Sequence, residues 1–138
     1  MGQKAEAAAV LFDSGRNCAQ SVLGAFCGGY GIDKETAFRM VCGLGSGARS
    51  ADLCGAVSGA VLVIGLKYGV SKEMCNTKTE AFIRRFREEN GTVVCRELLG
   101  CDITTAEGRE KAISENLFTT RCAELVNSAA SILEEEGY

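Results

Sequence analysis

The sequence predicts an all-α fold, a single domain of five to six helices around one apolar helix at about 53–66. Three observations carry this. Proline is absent from the 138 residues, so no position blocks helix propagation outright. Runs of β-branched residues are short, and apolar residues recur at three- and four-residue intervals, the period of a helix with one face turned inward. The hydrophobic content of 46 % supplies a core at this length without disulfide support.

Taken in order, residues 4–26 place Ala8, Leu11, Phe12, Gly15, Cys18, Ala19, Val22, Leu23 and Phe26 on one face, opposite Asp13, Arg16, Asn17 and Gln20. That pattern predicts one long amphipathic helix. "CGGYG" at 27–31 offers glycines for a chain reversal, and Asp33 is a natural N-cap for a short helix over "KETAFRMVC". Gly43, Gly45 and Gly47 break the chain before the apolar helix. Within that helix, Gly55 and Gly59 form a small-x-x-x-small pair that lets another backbone approach closely. The pair serves either a contact inside the chain or a homodimer. Ser71 is placed to cap a helix at roughly 72–89, whose Cys75, Phe82, Ile83 and Phe86 share a side before Asn90-Gly91 ends it. A helical turn follows at "CRELLG". Thr104 with Glu107 reads as a capping box for a brief helix, and 115–136 predicts a last amphipathic helix with Phe118, Cys122, Leu125, Val126, Ala129 and Leu133 inward.

Composition narrows the function. The formal charge is −3 with both signs interspersed, and no basic run is suited to a nucleic-acid backbone or an anionic membrane. Neither is expected as a partner. The apolar run falls short of the roughly 20 residues a bilayer requires. The first residues lack the signature of a signal peptide or of N-myristoylation, so a cytoplasmic setting is expected. Histidine is absent, which excludes Ser-His-Asp triads, Cys-His pairs and histidine-ligated zinc or haem. Eight cysteines remain, and in a reducing compartment such a load favours metal binding or redox work over a disulfide scaffold.

Helical phase turns Cys18, Cys95 and Cys122 inward, and Cys75 as well. Phase alone does not separate ligands from packing, because a free cysteine often behaves as a small buried hydrophobe. Cys27, Cys42 and Cys101 fall at predicted helix ends or beside glycine. Cys54 differs: it opens the central helix, where unpaired N–H groups and the positive end of the dipole favour a thiolate. No C-x-x-C, ferredoxin run or zinc-ribbon pair is present, so the fold must assemble any four-cysteine site. Arg16, Arg49, Arg96 and Arg121 stand near cysteines in sequence. Helical neighbours point about 100° apart, so these arginines are expected in solvent, acting on the thiols indirectly.

"LFDSGRNCAQSVLGAF", "LCGAVSGAVLVIGLKYG", "CRELLGCD" and "RCAELVNSAASIL" together resemble the C_GCAxxG_C_C family, described as redox-active, over nearly the whole chain. The resemblance implies that the recurrent cysteines are Cys18, Cys54, Cys95 and Cys122, with Asp102 at a position where the family often carries an acid. Here Cys-Gly-Ala at 54–56 stands where the family name has cysteine followed directly by alanine. The family is similar to the iron–sulfur portion of split-Soret cytochromes, which implies a cluster held by those four thiolates and electron transfer to an unidentified redox partner protein. The haem-binding part does not carry over, since C-x-x-C-H and histidine are both missing. A thiol–disulfide protein or sensor using Cys54 and a partner cysteine is the alternative. Four-cysteine zinc ranks below it for want of paired knuckles, beside a helical domain whose cysteines merely pack.

Overall fold

In place of one long N-terminal helix the chain forms two, and the break has a local cause. A computed structural model, which describes residues 2–138, places α1 at Gln3–Asp13 and α2 at Cys18–Phe26. Between them Gly15 takes φ 106°, a conformation that costs glycine little. Asn17 then opens α2 with a capping box: its side chain accepts from the Gln20 N–H, and the Gln20 side chain accepts from the Asn17 N–H. The expected helix over 4–26 is corrected accordingly. Both halves keep their apolar face, but Asn17 and Gln20 form the cap, and Gln20 is buried.

A 3-10 turn at Cys27–Tyr30 ends on left-handed Gly31, and α3, Lys34–Met40, starts at Asp33, whose carboxylate accepts from the Thr36 N–H. A second 3-10 turn at Cys42–Leu44 and an irregular turn at Gly47–Ala51 lead to α4, Gly55–Tyr68. Ser71 caps α5, Lys72–Asn90, through the Met74 N–H. Then come α6, Cys95–Leu99, α7, Ala106–Ser114, and α8, Arg121–Glu135. The described residues thus contain eight α-helices and no strand, and the all-α expectation holds with more, shorter helices than five to six. Two boundaries move. The cap of α7 is Thr105, which accepts from the Gly108 N–H, whereas the Thr104 hydroxyl and N–H both donate to Asp102. The last helix begins at Arg121 rather than 115, because Asn116 enters the left-handed region at φ 56° and interrupts the ladder.

Helix α4 lies at the centre, burying Gly55 to Ala60, Val63 and Ile64. Each such valine or isoleucine contributes roughly 1.5–3 kcal/mol. Helix α2 packs directly on its glycines: a Cβ on Gly59 would lie 2.7 Å from the Ala19 carbonyl oxygen, and one on Gly55 3.2 Å from Cys18 Cβ. The small pair is therefore used inside the chain. Around this contact α1, α5 and α8 complete the larger apolar cluster, with Phe26, Phe82, Phe86 and Leu133 fully buried. Ala51, Cys95, Leu99, Ile103 and Ala112 form a second, smaller cluster, with Phe118 and Cys122 packed on it. Among the described residues, no helix is long and apolar enough to cross a membrane.

Candidate functional site

The boundary corrections bear directly on the cysteines. Cys18 is the first residue of α2, Cys54 is the N-cap of α4, Cys95 is the first residue of α6, and Cys122 is the second residue of α8. All four line one cavity of about 230 Å³. Three of these helices have nine, fourteen and fifteen residues, and α6 has five. Helix starts carry unpaired N–H groups and the positive end of the dipole, so the fold gathers partial positive charge where it gathers sulfur.

Each arrival has a local cause. Asn17 fixes the start of α2 through its capping box and donates to the Cys42 carbonyl at 3.0 Å. Cys54 and Cys95, distant in sequence, are brought together by a short antiparallel bridge between Leu53 and Val94. Flanking it, the Cys54 N–H donates to Val93 at 2.8 Å and the Cys95 N–H to Asp52 at 2.5 Å. Arg96 secures the same seam, donating to the Ala51 carbonyl and pairing with Asp52 at 2.7 Å. Arg121 ties α8 to α6 through the Leu98 carbonyl at 3.3 Å, while the Cys122 N–H donates to Leu117.

All eight cysteines are free, yet these four thiols are not equivalent. The Cys18 thiol and Cys122 sulfur share a hydrogen bond, which raises Cys18 and, with Cys18 as donor, lowers Cys122; the Arg121 guanidinium lowers Cys122 further. Burial pushes Cys54 from an ordinary 9.0 to about 11, overcoming the opposing N–H groups of Ala56 and Val57. Burial likewise pushes Cys95 up to about 12, with the neighbouring Cys54 and Cys122 adding to the rise. The expectation that the helix start would favour a thiolate at Cys54 is corrected: desolvation outweighs the dipole there, whereas Cys122 is lowered.

Of the other cysteines, Cys75 packs against the larger cluster and Cys27 is buried within it, and neither lines the cavity. Cys101 borders the smaller cluster. Cys42 does line the cavity and is exposed, a fifth thiol that helical phase did not single out because it lies past the end of α3. Its position in the glycine-rich stretch leading to Cys54 was the available signal. Asp102 lies outside the cavity lining and instead orders the turn before α7. The arginines divide: Arg16 stacks 4.0 Å above the Phe38 ring, Arg96 clamps the seam, and Arg49 reaches the cavity wall.

Among the described residues, no group of three or more His, Cys, Asp or Glu side chains is placed to hold a metal ion. Zinc would require four sulfurs at about 2.3 Å from one centre. The cavity is walled by the thiols together with apolar side chains, Phe12, Leu99, Ile103, Phe118 and Leu125 among them.

No curated protein and no solved structure matches the chain. A family model described as "Putative redox-active protein (C_GCAxxG_C_C)" matches residues 16–136, a span that includes all eight cysteines. That match covers the smaller apolar cluster, the seam and the larger cluster apart from its α1 residues and Tyr138, and by it the chain belongs to the C_GCAxxG_C_C redox-active protein family.

Proposed function

We propose that this protein binds an iron–sulfur cluster through Cys18, Cys54, Cys95 and Cys122 and serves in electron transfer with a redox partner protein. The observation that supports this reading is the convergence of four helix starts, each bearing a thiol, on one largely apolar cavity. When bound, a cluster supplies one-electron chemistry at a potential set by hydrogen bonds, charge and solvent exposure. The chain's own contribution is to exclude water with Phe12, Phe118 and Leu125, and to offset thiolate charge with helix N-termini and with Arg121. Eight unbridged thiols suit a reducing, cytoplasmic setting.

Anaerobically purified protein is expected to be brown and to contain iron and sulfide in comparable amounts. Replacing any of the four cysteines by serine should reduce both, while Cys75→Ser should leave them unchanged. A colourless, iron-free preparation, or loss of iron from Cys75→Ser equal to that from Cys54→Ser, would overturn the assignment.

A second reading has Cys18 and Cys122 form a reversible disulfide: both line the cavity, and each moves the other's acidity in opposite directions. Cys122, as thiolate, would attack a low-molecular-weight disulfide, and Cys18 would then displace the second thiol, so that one disulfide is reduced as another forms. Thiol trapping at graded potentials should show a two-electron step lost in Cys18→Ser and retained in Cys54→Ser. Retention in both variants would defeat this reading.

A further inference from the structure

Beside the thiol cavity lies a second, open depression of about 410 Å³ lined by Ser46, Arg49, Ile103, Thr104 and Arg109. Ser46, Arg49 and Ile103 belong to both, so the two spaces share a wall. From these groups we infer a binding site for a small oxyanion of the phosphate class, held between the guanidinium groups of Arg49 and Arg109 next to the redox cavity.

The chemistry of the lining selects the ligand. Neither arginine forms an ion pair with a carboxylate among the described residues, although acidic side chains outnumber basic ones in the chain. Two unneutralised guanidinium groups facing one depression match the planar, forked recognition of phosphate oxygens. Ser46 Oγ accepts from Arg49 Nη1 at 3.3 Å, which leaves the serine hydroxyl hydrogen available to an anion. Thr104 shapes the floor without donating, since its hydroxyl is committed to Asp102 at 2.6 Å. Asp102, two residues earlier in the chain, is held by the Thr104 N–H and hydroxyl. The net charge of −3 does not prevent anion approach, because exposed charges beyond about 8 Å are screened at physiological ionic strength.

Backbone geometry supplies an independent observation. Ser46, Gly47, Ala48 and Arg49 occupy the left-handed region consecutively, at φ 54°, 62°, 58° and 61°, a conformation costing non-glycine residues about 1–2 kcal/mol each. Strain of this kind persists where the surroundings enforce it and concentrates at ligand clamps. Here Arg96 on the Ala51 carbonyl and the Cys95 N–H on Asp52 hold the end of the segment. At the far side, Arg109 is steadied over the Phe118 ring at 5.5 Å.

The test is titration calorimetry of the protein as purified, with inorganic phosphate at an ionic strength held constant by chloride. Saturable binding at one site is expected. Arg49→Gln and Arg109→Gln should each weaken it about tenfold or more, and Arg84→Gln, on the exposed side of α5, should leave it unchanged. Both target side chains are exposed, and matching melting temperatures confirm that the variants fold. A phosphate monoester run in parallel separates the sources: tighter binding than phosphate indicates an organic ligand, and equal binding the free ion. Absence of saturation below about 10 mM, or saturation indifferent to both arginine substitutions, would overturn the site. Iron content plays no part in the readout, so this outcome and the fate of the cluster are independent.

Discussion

At Cys54 two physical effects oppose one another, and their sizes decide the chemistry. A helix start contributes about 0.3–1 kcal/mol toward an anion, up to about 2 kcal/mol when partly buried. Desolvation of a fully buried group shifts a pKa by up to several units, and it prevails, carrying Cys54 to about 11. Cys122 escapes because Cys18 donates to it and Arg121 stands beside it. In reduced, iron-free protein the pH midpoint of alkylation should therefore lie lowest for Cys122 among Cys18, Cys54, Cys95 and Cys122, and near 11 for Cys54. Midpoints are the useful readout, since absolute rates also reflect access. Cys18→Ala removes the donor and should move the Cys122 midpoint upward; a Cys54 midpoint below that of Cys122 in the unsubstituted protein would contradict the ordering. From sequence, phase admitted Cys75 beside Cys18, Cys95 and Cys122, and the family resemblance was what singled out Cys18, Cys54, Cys95 and Cys122, which line one cavity. The order of their acidities was not legible, because it depends on a hydrogen bond between residues at opposite ends of the chain.

The element that fixes these distances is the α2–α4 contact, and glycine is what permits it. A methyl group on Gly59 would meet the Ala19 carbonyl oxygen at 2.7 Å and Ala19 Cα at 3.0 Å, both backbone atoms that cannot rotate away. Gly59→Ala should therefore force the helices apart and cost about 1–3 kcal/mol in urea unfolding. Gly65, on the same helix, has nothing within 4 Å of such a methyl group. Gly65→Ala should stabilise by about 0.4–1 kcal/mol through the smaller entropy of the unfolded chain. Equal effects of the two substitutions would mean that helix propensity, rather than close packing, governs these positions. The Gly55/Gly59 spacing was legible as a close-approach motif, but not which backbone it admits. The Gly15 break was hidden for a related reason: apolar phase continues across it from Leu11 to Val22, so periodicity reports one helix. Only the reciprocal Asn17–Gln20 cap marks two. Missing that cap also concealed that Cys18 opens a helix, just as the unrecognised Asn116 turn concealed it for Cys122.

On the scale of the whole molecule, the cavity lies on a boundary between unequal partners. Cys54 belongs to the larger apolar cluster, with Cys18 packed on it, whereas Cys95 belongs to the smaller, with Cys122 packed on it. Sequence phase marks all four as inward and does not distinguish two interiors, because a residue facing either one obeys the same period. The smaller cluster buries little apolar surface of its own: two of its five buried residues are alanines. Its attachment rests on the Leu53–Val94 bridge and on Arg96 and Arg121, to which the proposed cluster on the four thiols would add. Ligands joined across such a seam act as a staple, adding binding free energy to the stability of the segment that is least able to stand alone. Anaerobic chelation of iron from the loaded protein should therefore accelerate amide hydrogen exchange chiefly within 95–122. The amides of α2 and α4, buried in the larger cluster, should keep most of their protection. Mass spectrometry of peptic fragments resolves the two regions. Acceleration spread evenly along the chain, or none within 95–122, would show that iron does not join the two clusters, and the four cysteines would lose their role as its shared anchor.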